Sequence, residues 1–227
     1  MTIAWIIGSS GLLGSALSRR LRVDGTELFL PLERFHWNNE AEVKDQIAAA
    51  TGIFASRAAV AEKWEIYWAA GIGNMGSAED ELERESRILG TLLSNIQSNS
   101  CLCDTPGALA FASSAGAIYA GSKDYIINEN TNPAPTTAYA YEKIRQMVAR
   151  PCIPADCEQL AFVILRNMGN IAGVACIDKG HRKMAIFAQL LCKVFIVNRS
   201  KWSAFTALHN IVRAEVVYRR DACKVCQ

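Results

Sequence analysis

The feature that most limits what this chain can fold into stands at its start. An apolar run, Ile3-Ala4-Trp5-Ile6-Ile7, breaks into Gly8-Ser9-Ser10-Gly11-Leu12-Leu13-Gly14 and passes straight into a helical pattern. Over residues 12–24 the apolar positions Leu13, Ala16, Leu17 and Leu21 recur at helical spacing, and Gly25 follows where a helix C-terminus favours glycine. A buried strand, a glycine turn and a helix in that order form half of a parallel β-α-β unit. In such a unit the first glycine permits the tight turn, the second lets a pyrophosphate approach the backbone, and the third lets helix and strand pack closely. The helix N-terminus adds free N–H groups and partial positive charge. Gly8, Gly11 and Gly14 have this context, spaced GxxGxxG rather than GxGxxG.

Strand and helix signals then alternate. Strands are expected over 27–32, 65–70, 108–114 and 160–166, and helices over 39–63, 79–97 and 137–150, with one more helix over 184–195. Parallel neighbours need a crossover, usually a helix, so the pattern predicts a doubly wound α/β domain with a parallel, Rossmann-type sheet. It is expected to occupy residues 1–170, with 171–227 forming a small substrate-side region that partly returns to the main domain.

Charge and cysteine content narrow the function. A net charge of +2, without a basic tail or stripe, gives no electrostatic case for nucleic acid or an anionic membrane. No apolar run reaches the ~18 residues of a membrane span and no charged leader precedes the first strand, so a cytoplasmic location is expected. The eight cysteines are read as reduced thiols, because disulfide frameworks belong to short secreted chains. Cys101-x-Cys103 and Cys223-x-x-Cys226 do not supply the well-spaced pairs of a structural zinc site, and no metal is expected. His36, His181 and His209 show no ligand spacing and are read as surface or loop residues, and Trp5, Trp64 and Trp68 as core.

Two later stretches carry chemistry. Ser113-Ser114-Ala115-Gly116-Ala117-Ile118-Tyr119 follows a strand, and the segment 133–143, PAPTTAYAYEK, opens a helix. Tyr139 and Lys143 are four apart and share a helix face, whereas Tyr141 and Lys143 do not. Bringing a phenol from its ordinary pKa of ~10 to about 7 takes on the order of 4 kcal/mol, which a unit positive charge at ~4 Å supplies at an effective dielectric of ~20. A serine hydroxyl from the neighbouring strand end could then bond the substrate oxygen. At the end of the second strand, Glu33 suits the ribose hydroxyls of NAD and Arg34 suits the 2′-phosphate of NADP, and both alternatives stay open.

Taken in order, GSSGLLG, WAAG (68–71), SSAGAIY (113–119), NPAPTTAYAYEK (132–143) and LRNMGNIAG (165–173) resemble the extended short-chain dehydrogenase/reductase family, in its sugar-nucleotide epimerase/dehydratase branch. The resemblance covers residues 3–173 and continues faintly to VYRRDAC (217–223). It implies NAD or NADP as cofactor, a sugar nucleotide as substrate, and a homodimer as a candidate assembly. Carried over, Tyr139 is the acid/base, Lys143 holds the ribose and lowers the tyrosine pKa, and Ser114 orients the substrate hydroxyl. The implied cofactor-binding set is Gly8, Ser10, Gly11, Leu12, Gly14, Arg34, Ala69, Ala70, Gly71, Tyr139 and Lys143. The basic segment 179–183, KGHRK, falls where relatives face the diphosphate of the substrate.

The chain also departs from the pattern. Ala115 stands where many relatives carry the catalytic hydroxyl, so Ser114 or Ser113 must serve from a shifted place. Arg87 replaces the asparagine that precedes Gly90-Thr91, an extra residue separates Arg166 from Asn170, and Ala172 stands for the usual tyrosine. Ala115-Gly116-Ala117 lacks the acidic pair of dehydratases, so elimination is not expected. The sequence ends at Gln227, where the resemblance implies more of the substrate domain: a compact member, a longer natural protein and a degenerate substrate side are the alternatives. The implied reaction is epimerisation; the alternatives are a carbonyl reductase with the same triad and a non-catalytic dinucleotide-binding regulatory protein.

Overall fold

The computed structural model describes residues 1–71, 73, 76–123, 131–148, 160–167 and 212–217. Its sheet has the order β2-β1-β3-β4-β5-β6. The strands are β1 (Thr2–Ile7), β2 (Glu27–Phe29), β3 (Lys63–Trp68), β4 (Gly107–Ser114), β5 (Leu160–Asn167) and β6 (Val212–Val217). The first five run parallel and β6 pairs antiparallel with β5. The helices are α1 (Leu12–Val23), α2 (Glu40–Ala58), α3 (Glu79–Gln97), α4 (Ser100–Asp104), α5 (Ala115–Ile118) and α6 (Ala138–Val148).

Sheet order follows from handedness. The chain leaves β1 through α1 for β2 on one side, then crosses back through α2 to place β3 on the other side of β1. Right-handed crossovers in opposite directions put α1 and α2 on opposite faces, so the sheet is doubly wound, with its topological switch between β1 and β3. On one face α3 lies between α2 and α6. There Ile3, Trp5 and Ile7 of β1 and Trp64, Ile66 and Trp68 of β3 form one core with Val43, Ile47, Phe54, Leu89 and Leu92. The alternate residues Ala4 and Ile6 are also buried, as are Ala16, Leu17 and Leu21 of α1. Trp5, Trp64 and Trp68 are buried as expected, and His36 is exposed beside Glu42. His181, His209, KGHRK and the helix expected over 184–195 lie outside the described residues.

Several boundaries differ from the sequence reading. The second strand stops at Phe29 rather than Leu32, because Pro31 offers no N–H and this edge strand has only β1 beside it. Leu30 and Leu32 are 59% and 90% exposed, so their apolar character does not report burial. The third strand starts two residues early, since Lys63 and Trp64 pair with Thr2 and Ile3, and it ends at Trp68. Helices α4 and α5 and strand β6 were not anticipated: the helices are too short for a clear period, and Arg213 and Glu215 interrupt the apolar run of β6. Gly25 closes α1 as expected, with φ +73, and Thr26 N and Gly25 N donate to Leu21 O and Arg22 O. Cys101 is free, but Cys103 is disulfide-bonded, which corrects the expectation of reduced thiols there; chain spacing does not report which sulfurs meet in space.

Polar ties join the helices of the α2–α3–α6 face. Arg87 binds Glu40 bidentately, Nε to Oε1 and Nη2 to Oε2 both at 2.9 Å, and Lys44 donates to Glu40 at 2.6 Å. Arg87, and then Lys44, hold the Glu40 carboxyl at about 2, below its ordinary 4.5. A depressed folded-state value contributes stability that is complete above the unfolded value and is lost as pH falls through the folded one. The urea midpoint of Glu40→Gln should therefore lie below wild type above pH ~5, and the two should converge as pH approaches about 2. Because Glu40 is 28% and Arg87 48% exposed, the gap should be modest and shrink in concentrated salt.

Candidate active site

The turn after β1 and the turn after β3 meet backbone against backbone. Gly8 has φ +88, and a Cβ there would stand 2.6 Å from Ala70 N. A Cβ on Gly14 would stand 2.1 Å from Gly8 O. Neither clash is relieved by a rotamer, so these two glycines hold α1 and both strand ends at a separation that no side chain allows. Gly11 differs. Its φ is −71, its N–H closes the turn on Gly8 O at 3.1 Å, and a Cβ would only touch Gly8 O at 3.4 Å. As N-cap of α1 it provides no side-chain cap, and no acid occupies the first turn. The helix end thus presents its amides to whatever enters the crevice.

The crevice over the strand ends has two lobes. One, of ≈ 250 Å³, is lined by Gly8, Ser10 and Gly11, by Ala69, Ala70 and Gly71, and by Glu81, Arg84, Glu85 and Ile88 of α3. The other, of ≈ 470 Å³, lies between Gly8, Ser9 and Ser10 and the segment 30–35 after β2, including Glu33 and Arg34. Trp37 lines both, set edge-on to Trp68 with ring centroids 6.2 Å apart. Ligands of open α/β sheets bind at this place, outside the carboxyl ends of the strands at the switch point. A cradle that a Cβ would fill, beside an uncapped helix end, fits the diphosphate of NAD or NADP. Glu33 and Arg34 are both exposed on the same rim, so the rim geometry favours neither cofactor.

Of the sequence-derived binding set, Gly8, Ser10, Gly11, Arg34, Ala69, Ala70 and Gly71 therefore come together. Leu12 opens α1, 45% exposed, and Gly14 is buried beneath the turn; neither lines the lobes.

Tyr139 and Lys143 do share a face of α6. Lys143 Nζ lies 5.5 Å from the Tyr139 ring centroid and 5.3 Å from that of Phe111. The Tyr139 ring also stands against Gly73, just past the β3 turn, where a Cβ would meet it at 3.7 Å. Strand alternation separates the two serines. Ser113 is buried and donates to Met147 Sδ at 3.2 Å inside the α6 packing, while Ser114 takes the opposite phase at the strand end, half-buried. Of the two, Ser114 is the one not committed to that contact.

Glu85 was not singled out from sequence. It is 8% exposed, lines the smaller lobe, and accepts from Lys143 Nζ at 2.9 Å. A signal existed: Leu82, Glu85, Leu89, Leu92 and Ile96 follow one another at three- and four-residue steps, so Glu85 sits on the apolar side of α3. Trp37, the other residue not anticipated, lies in an irregular loop with no period to expose it. Among the described residues no group of three or more His, Cys, Asp or Glu could hold a metal, and no helix is long and apolar enough to cross a membrane.

The different surroundings of the glycines give a direct check. Gly14→Ala should lower unfolding free energy by roughly 2–3 kcal/mol, whereas Gly11→Ala should cost less than ~1 kcal/mol, both read by urea denaturation.

The same fold occurs in a dTDP-4-dehydrorhamnose reductase from Clostridium acetobutylicum, with TM-score 0.58 and 14% identity over 88% of this chain and 72% of that one. It also occurs in DdhaC, with TM-score 0.50 and 18% identity over 73% of this chain and 46% of that one. No curated protein matches the sequence. Residues 4–209 match the NAD dependent epimerase/dehydratase family. With the glycine cradle, the switch-point crevice and this match over most of its length, the chain belongs to the NAD dependent epimerase/dehydratase family.

Proposed function

We propose that the protein binds NAD or NADP across the two lobes of the crevice and acts on a nucleotide-linked sugar, with epimerisation at a hydroxyl-bearing carbon as the net reaction. One observation supports the reading: Glu85 lines the crevice and accepts from Lys143, which sets the Tyr139–Lys143 pair beside the crevice, although neither of the two lines its lobes. Hydride acceptance and return are the chemistry that NAD or NADP supplies. The chain's own residues do the rest. Gly8 and Gly11 admit the diphosphate, the α1 amides bond it, and Trp37 packs along the groove between the lobes. Tyr139 takes the proton of the sugar hydroxyl as the carbon–hydrogen bond breaks, and returns it when the carbonyl is reduced from the other face. Lys143 supplies positive charge beside the phenol, and Ser114 donates to the substrate oxygen.

Relatives lend the substrate class its support. One structure of similar fold is a dTDP-4-dehydrorhamnose reductase, and the family name joins NAD dependence to epimerase and dehydratase chemistry. Ala115-Gly116-Ala117 supplies no acid or base, which argues against elimination. A second reading has its own observation. Lys143 is already held by Glu85 and Gln146, and Ala115 lacks a hydroxyl, as a dinucleotide-binding protein without turnover could afford.

Tyr139→Phe should lower kcat on a responsive sugar nucleotide by about 10²–10⁴-fold while dinucleotide Kd stays within about twofold. Full turnover in that variant refutes the assignment. Gly11→Val should abolish the tryptophan fluorescence change on adding NAD or NADP, with far-ultraviolet dichroism preserved; unchanged binding shows that the loop only turns the chain. Dinucleotide binding with no turnover across a panel of sugar nucleotides selects the second reading. Net consumption of reduced cofactor selects a carbonyl reductase, because an epimerase recycles its hydride.

A further inference from the structure

A lysine and a glutamate buried together stabilise a site only when their remaining hydrogen-bonding capacity is filled. Here much of it is. Lys143 Nζ donates to Glu85 Oε1 and to Gln146 Oε1, both at 2.9 Å. Gln146 Nε2 donates to Ser86 Oγ at 2.8 Å and approaches Glu85 Oε1 at 3.4 Å, and Gly73 N approaches Glu85 Oε2 at 3.4 Å. The side chains of Lys143 and Glu85 are 9% and 8% exposed. Two helix side chains, Glu85 of α3 and Gln146 of α6, thus fix one ammonium, which also stands over the rings of Tyr139 and Phe111.

We infer that Glu85 is a positioning residue of the acid/base pair: with Gln146 it holds the Lys143 ammonium over the Tyr139 ring and offsets its charge there. The inference rests on the reading of Tyr139 and Lys143 as acid and base. It changes the chemistry in a definite way, because a phenol beside a lone ammonium and one beside an ion pair release their protons at different pH. Other charged groups are placed differently. Glu81 and Arg84 line the crevice on the α3 side, Glu142 of α6 pairs with Arg145 at 3.1 Å, and β4 presents Phe111 and Ser113 without charge.

The test reads the phenol itself in the full chain, without cofactor or turnover. Phenolate absorbance is titrated in each protein and in its Tyr139→Phe counterpart, so that the difference belongs to Tyr139. Glu85→Gln, which keeps size and hydrogen bonding but removes the charge, should move the Tyr139 midpoint down by about one pH unit or more. Lys143→Met should move it up, and Glu85→Asp should restore the wild-type midpoint. An unchanged or raised midpoint in Glu85→Gln overturns the inference. Should Glu85→Gln fail to fold, Gln146→Leu, which removes the other partner of the Lys143 ammonium, should also shift the Tyr139 midpoint, and an unchanged midpoint overturns the inference. Failures of the two readings look different. Full turnover in Tyr139→Phe removes the acid/base assignment and leaves the titration shifts standing, whereas an inactive Tyr139→Phe with no shift in Glu85→Gln removes only the role of Glu85.

Discussion

The architecture depends on one close approach: Gly8 against Ala70 on one side and Gly14 against Gly8 on the other. Side chains ordinarily keep packed elements 8–10 Å apart, and an anion's oxygens could not then reach backbone amides. Removing two Cβ atoms brings α1 onto the end of β1 and the β3 turn onto the β1 turn. The crevice is what remains between them. Its floor is backbone, so its shape is set by chain geometry rather than by rotamers, which is the preorganisation a diphosphate site needs.

A second constraint comes from the packing of α3. This helix lies between α2 and α6, and its inward side is apolar except for Glu85. A lone carboxylate there would be costly, and so would Lys143 on α6; each makes the other tolerable. On the outer side Arg87 ties α3 to Glu40 of α2. The departure from the family's asparagine at position 87 thus has a structural use: its guanidinium is engaged at the helix surface, away from the crevice lining.

What could be read from sequence divides along physical lines. The glycine turn was legible because a buried strand running into a helix leaves few conformations, and GSSGLLG meets their demands. The parallel sheet was legible from strand–helix alternation, and the shared helix face of Tyr139 and Lys143 from their spacing. Contacts between elements were not. Glu85 reads as an ordinary surface acid until the phase of α3 is tracked, and its partner lies 58 residues away. Leu30 and Leu32 read as strand core because hydropathy does not distinguish an apolar rim from an interior, and Pro31 was the better guide. The different surroundings of Ser113 and Ser114 needed the register of β4, which fixes the faces of both.

The brevity of β2 has a consequence beyond the crevice. An outer ribbon invites another chain to zip onto its unused amides and carbonyls, and long flat borders are where globular proteins begin to polymerise. With three residues before the proline-bearing segment, that border has little to template. The apolar pair that follows, Leu30 and Leu32, lines the larger lobe instead of lengthening an adhesive seam.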